Sequence, residues 1–203
     1  MPSRIRSTAL TTVATGLTAA LLLTGCSDEP ESATSPAEAT TTARADTLLS
    51  AHGLEGKDAR TLIDELDATP VAERSSEFMA AIQVDRLVIS DGSGATTSLA
   101  LPTEEFYVSI APFVDQTHEC FFHSLTTCRG ELANQAIDVE VIDDSGTVLV
   151  DETMTTFDNG FLGLWLPRDI SATVTLEANG RTVTDTLSTG ADDPTCVTTL
   201  QLV

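Results

Sequence analysis

Between Gln116 and Cys128 the chain reads Gln116-Thr117-His118-Glu119-Cys120-Phe121-Phe122-His123-Ser124-Leu125-Thr126-Thr127-Cys128. Two of its three histidines and two of its four cysteines lie in this one segment. A further cysteine, Cys196, follows the loop from Gly190 to Thr195. Thiolate and imidazole are soft to borderline donors that suit Cu(I) and Zn, whereas carboxylate sites suit Ca or Mg. Cys120, Cys128, Cys196, His118 and His123 therefore form the candidate metal site. The spacing is not that of a zinc finger, because no paired C-x-x-C is present. Two rival readings use the same cysteines. Any two of the three could form a structural staple in an exported domain, or they could exchange disulfides, although the usual C-x-x-C redox motif is missing. No phosphate loop, nucleophile elbow or spaced carboxylate pair accompanies them, so no catalytic residue is assigned and an enzyme is not the expectation. His52 stands alone and is read as surface or core. Phe121 and Phe122 are read as packing around the loop, and Asp192 and Asp193 as turn residues.

The elements that must hold these donors are mostly strands. Ala45 to His52 and Lys57 to Leu66 have helical spacing, with Leu62, Ile63 and Leu66 on one face and Gly53 and Gly56 at the break. Ile82, Val84, Leu87, Val88 and Ile89 read as one strand, Asp91-Gly92-Ser93-Gly94 as a turn, and Thr97 to Leu101 as the return. Two helices and a hairpin make a small core that needs to dock or dimerise. From Phe106 onward the pattern is almost wholly β. Alternating runs at Ile137 to Ile142 and Phe161 to Leu166, and strands at Phe106 to Ile110, Val148 to Thr156, Thr173 to Ala178, Val183 to Leu187 and Val197 to Val203, are separated by turn signals. Among these, Asn179-Gly180 suits a tight hairpin. The expected fold is α+β: a small helical and hairpin domain over 44–102, then an antiparallel β-sandwich of immunoglobulin or transthyretin type over 103–203, with Trp165 in its core. The segment from Asp115 to Gln135 interrupts the strands, and loops of that length in compact domains are often functional. On such a loop the donors would be exposed and exchangeable.

The N-terminus adds an address. Residues 1–25 carry Arg4 and Arg6 and then a short apolar run, as in a secretory signal peptide. Leu23-Thr24-Gly25-Cys26 resembles a bacterial lipobox, which makes Cys26 the lipidated first residue of an exported protein on the outer face of the cytoplasmic membrane. Acyl chains contribute about 0.8 kcal/mol per buried CH2, so more than one anchors stably. After Cys26, the rest of 26–43 is Ser, Thr, Ala, Pro, Glu and Asp with no large apolar group, a flexible tether. With Cys26 lipidated, Cys120, Cys128 and Cys196 are an odd number in an oxidising compartment, so at least one thiol stays free unless chains pair. Loss of residues 1–25 leaves eight Lys+Arg against 31 Asp+Glu, a net −23. That acidity disfavours nucleic acid and draws cations.

The stretch from Phe106 to Gln135, FYVSIAPFVDQTHECFFHSLTTCRGELANQ, resembles the signature of the CueP family of bacterial periplasmic copper-binding proteins. DNGFLGLWLPRDI (Asp158 to Ile170) and TGADDPTCVTTLQL (Thr189 to Leu202) resemble the same family. The resemblance implies copper as the ion, with zinc as a competitor. It also implies a role in copper tolerance or delivery to a secreted cuproenzyme. The family's cysteines fall on Cys120, Cys128 and Cys196 and its histidines on His118 and His123. A dimerising N-terminal domain and a C-terminal β domain bearing the site are implied too. The lipobox and tether depart from a soluble periplasmic protein, which puts a soluble partner enzyme in doubt.

Overall fold

The computed structural model describes residues 46–203. The expected signal peptide over 1–25, the expected lipidation site Cys26 and the expected tether over 26–43 lie outside the described residues.

A helical stretch over 46–51 and turns at Gly53 and Gly56, with φ of 68° and 74°, lead into helix α1 (Ala59–Ala68). Asp58 caps α1, its side chain accepting from Thr61 N at 2.8 Å. Leu62 and Ile63 are fully buried from the expected face, and Asp67, one turn beyond Ile63, is buried with them. No helix among the described residues is long and apolar enough to cross a membrane.

Three strands follow as a meander: β1 (Phe78–Ile82), β2 (Arg86–Asp91) and β3 (Thr96–Ala100), all antiparallel. The single strand expected across Ile82 to Ile89 is thus two strands and a turn. Gln83 N bonds Arg86 O at 2.9 Å to close it, and the apolar run is broken at the polar Gln83 and Asp85.

The remaining strands make two more sheets. β5 (Ala136–Asp143), β6 (Val148–Thr155), β8 (Ser171–Ala178) and β9 (Arg181–Ser188) form an antiparallel sheet in the order β6-β5-β8-β9. β4 (Glu105–Ile110), β7 (Leu162–Pro167) and β10 (Cys196–Val197) form the third, in the order β10-β4-β7. The last strand is much shorter than the expected 197–203. It pairs with β4 in parallel, and the isolated Phe113–Gln201 bridge beyond both strands is parallel too. The chain leaves β9 at the edge of one sheet and rejoins at the edge of another, running with β4. The fold is therefore mostly β, with short N-terminal helices and three antiparallel or mixed sheets.

Strand alternation decides what sees the site. Phe106, Val108 and Ile110 of β4, with Leu162, Leu164 and Leu166 of β7, share one core with Ile137, Val139, Val141, Val174 and Leu176. The opposite faces of β4 and β7 carry Tyr107, Ser109, Gly163 and Trp165 toward α1. Tyr107 belongs to the core of Leu62, Ile63, Ile82 and Ile89, and Trp165 packs against it. Trp165 accordingly lies outside the first core and packs on the second. Its indole Nε1 donates to Asp64 Oδ1 at 2.8 Å, and Arg60 lies 4.6 Å over the ring.

Gly163 is needed on this face, because a Cβ there would collide with the Tyr107 phenol. Gly163→Ala is expected to lower stability by about 1–3 kcal/mol, read as an earlier midpoint in urea unfolding.

Candidate metal centre

The segment carrying the donors has little secondary structure of its own, yet it is stitched down along its length. Glu131 accepts from the amides of Val114, Asp115 and Gln116 at 2.7, 3.0 and 3.2 Å, which also holds its carboxyl below the usual range. Thr198 Oγ1 donates to His118 O at 2.6 Å. Phe121 O accepts from Thr195 N at 2.9 Å and Cys196 N at 3.1 Å. His123 O takes Ile82 N at 2.8 Å, and Leu125 N donates to Ala80 O at 2.9 Å, so β1 clamps both sides of Ser124. Thr195 is the knot: its hydroxyl accepts from His123 N at 3.0 Å and donates to Ile82 O at 2.6 Å.

These bonds bring the expected donors together in two overlapping triads. The ligand atoms of His118, Cys120 and Cys128 lie within 4.8 Å of one another, as do those of His123, Cys128 and Cys196. All three cysteines are free thiols. Cys120 Sγ and Cys128 Sγ are 3.6 Å apart, a non-bonded contact. Phe161 forms the floor, packed with Cys196 and 4.6 Å from the His123 ring. The site is not the open loop expected from the sequence. His118 is exposed and Cys120 and Cys128 are half-buried, but Cys196 and His123 are buried. Phe121 and Phe122, read as packing around the loop, stack edge to face on each other at its surface, 49% and 43% exposed.

Behind His123 stands a carboxylate that sequence reasoning missed. Asp67 is fully buried and lies 3.1 Å from His123 Nε2. It also accepts from Tyr107 at 2.7 Å, Asn159 Nδ2 at 3.0 Å and Ser109 Oγ at 3.2 Å. Arg74 approaches to 3.8 Å and donates to Asp67 O at 3.1 Å. Burial would raise the Asp67 carboxyl, but His123, Tyr107 and Asn159 together hold it below the usual range. Burial would depress His123, but the charge and hydrogen bond of Asp67 outweigh it and push the imidazole up to about 9. With Nε2 committed to Asp67, Nδ1 is left for the thiols. It is the one buried side-chain polar atom without a hydrogen-bond partner among the described residues. Once its proton leaves, a nitrogen so placed beside the Cys128 and Cys196 sulfurs is suited to ligate a metal. The signal was in the sequence: an acid at the position after the apolar Leu62-Ile63-Leu66 face, at a helix C-terminus where the dipole disfavours it.

The thiols divide the proton load. Cys128 is held far below its usual range by donation from Cys120 and Cys196, against burial, and further by His123. Ser124 N also donates to it, at 3.3 Å. Cys120, as donor to Cys128, is pushed up to about 11. Cys196 is raised well above its range, first by donating to Cys120 and Cys128 and then by burial. The resting cluster is one thiolate flanked by two thiols and an imidazolium, a set of soft donors that fits Cu(I).

The family model for periplasmic copper-binding protein CueP matches residues 61–201. A solved structure described as the crystal structure of S.CueP is similar at 38% identity with a TM-score of 0.73, over 78% of this chain and 97% of that one. No curated protein matches the chain.

Removing the carboxylate by Asp67→Ala leaves Arg74 and His123 without it and should cost about 3–5 kcal/mol in urea unfolding. A second expectation concerns pH. In a Cys128→Ser background, which removes the thiolate's opposing titration, His123 keeps a pKa raised by Asp67. A raised histidine stabilises fully below its unfolded value of about 6.5 and loses that contribution as pH rises toward the folded value. The unfolding free energy of the apo variant should therefore fall between about pH 6.5 and 8, by at most ~1.4 kcal/mol per unit. Adding His123→Gln should remove most of that slope.

Proposed function

Because the chain belongs to the CueP family of periplasmic copper-binding proteins, we propose that it captures Cu(I) outside the cytoplasmic membrane. The ligands are Cys120, Cys128 and Cys196 with His123 and His118, and the body is tethered through a lipid on Cys26. Copper is cargo, held for tolerance or for delivery to a secreted cuproenzyme. The observation that carries this reading is His123 Nδ1, buried and unpartnered beside thiols while Asp67 takes Nε2. A carboxylate on the far nitrogen fixes the tautomer and raises the basicity of the near one, the usual support for a metal-bound imidazole. Exposed His118 and partly exposed Cys120 keep one side open for exchange with small chelates or partners. The acidity of the chain raises the local cation concentration.

A second reading is favoured by one feature of the same cluster. Cys128 is a stabilised thiolate beside an imidazolium, with the Cys120 sulfur 3.6 Å away, the arrangement of a reactive thiol pair. Such a pair could give one electron to each of two Cu(II) ions as Cys120 and Cys128 form a disulfide and the Cys120 proton leaves to solvent, or exchange disulfides with proteins.

Titration of the reduced chain from Ser27 onward with Cu(I), against a chromophoric chelator, separates the two. Copper binding predicts stoichiometric capture that Cys128→Ser weakens by at least ~100-fold. Failure to compete with the chelator, together with turnover in an insulin-reduction assay, would favour thiol exchange.

A further inference from the structure

The five donors fall into two overlapping triads. His118 and His123 fall in different triads, and Cys128 is the only residue in both. The triads also differ in access. The outer one has exposed His118 and half-buried Cys120; the inner one has His123 and Cys196, 0% and 1% exposed. We infer that the centre is a two-station relay: copper is captured at His118–Cys120–Cys128 and passes inward to His123–Cys128–Cys196. This inference rests on the copper-binding reading above.

The transfer is a ligand exchange in which the Cys128 sulfur stays bonded throughout. Capture displaces the Cys120 proton to solvent and forms bonds from Cu(I) to the sulfurs of Cys120 and Cys128 and to a His118 nitrogen. Inward movement breaks the bonds to His118 and Cys120 and forms bonds to His123 Nδ1 and Cys196. The Cys196 thiol proton passes to the released Cys120 sulfur and the His123 Nδ1 proton leaves to solvent, so charge and protons balance and copper is not oxidised or reduced. The geometry gives each station a different task. Exposure at His118 permits collision with a copper donor. Burial on the Phe161 floor, with Nδ1 aimed by Asp67, shields the ion from water and competing ligands.

The test is rapid mixing of the full chain, thiols reduced, with the Cu(I) complex of a chromophoric chelator, alongside equilibrium competition. His118→Ala is expected to slow loading about tenfold or more and to weaken the equilibrium affinity less than Cys196→Ser does. Cys196→Ser, an isosteric change that spares the fold, is expected to load at nearly the native rate and to weaken affinity about 10–100-fold. His123→Gln should behave as Cys196→Ser does. Equal losses of affinity in the His118 and Cys196 variants, with loading rates unchanged, would show one undivided site. That result would overturn the relay while leaving copper binding intact. No Cu(I) uptake by the native chain would overturn both.

Discussion

Everything at the centre depends on one buried charge. Asp67 has no access to solvent, and an unpaired carboxylate in such a place is not tolerated. Its neighbours therefore define the architecture. Tyr107 and Ser109 reach it from β4, Asn159 from the turn before β7, His123 from the long loop and Arg74 from just beyond α1. Four separate pieces of chain are drawn to one point, and the helix is seated on the β4–β7 sheet by the same contacts. Gly163 is part of this arrangement, since only a residue without Cβ lets the Tyr107 phenol lie where it does.

The second constraint is the backbone of the donor loop. A segment without strands or helices must still find partners for its amides and carbonyls. Here they are found on β1, on Thr195 and Thr198, and on the Glu131 carboxylate. The loop's backbone is thereby fixed at several points along its length, which brings the sulfurs and imidazoles together. Preorganisation of this kind reduces the ordering cost of binding. It also explains how a surface loop can bury His123 while leaving Phe121 and Phe122 in solvent.

Much of this was legible from residues alone. The five donors stood out because Cys and His are rare in the chain and cluster in one segment. The strands from β4 to β9 followed from alternation and turn signals, with Asn179 and Gly180 both adopting positive φ. What was not legible depends on tertiary context. Ile82 to Ile89 is apolar enough to hide a turn at Gln83–Asp85. The parallel pairing of β10 with β4 has no periodic signature, because it is set by where the chain crosses between sheets. Trp165 alternates correctly with Leu164 and Leu166, but both faces of β7 are covered, so alternation could not say which face held the larger core. Asp67, Arg74, Tyr107 and Asn159 are far apart in sequence, and each has an ordinary local explanation as helix, connector, strand or turn residue. Only the acid on the apolar helix face was out of place.

The central claim is that His123 and the cysteine sulfurs ligate copper directly. X-ray absorption at the copper edge of the Cu(I)-loaded protein tests it most directly, with Asp67→Asn measured beside the native chain. The account predicts a sulfur-dominated shell with one imidazole, whose outer-shell scattering is diminished or disordered when Asp67 no longer holds the ring. A shell of nitrogen and oxygen without sulfur, or an imidazole signal unchanged by His118→Ala and by His123→Gln, would contradict it.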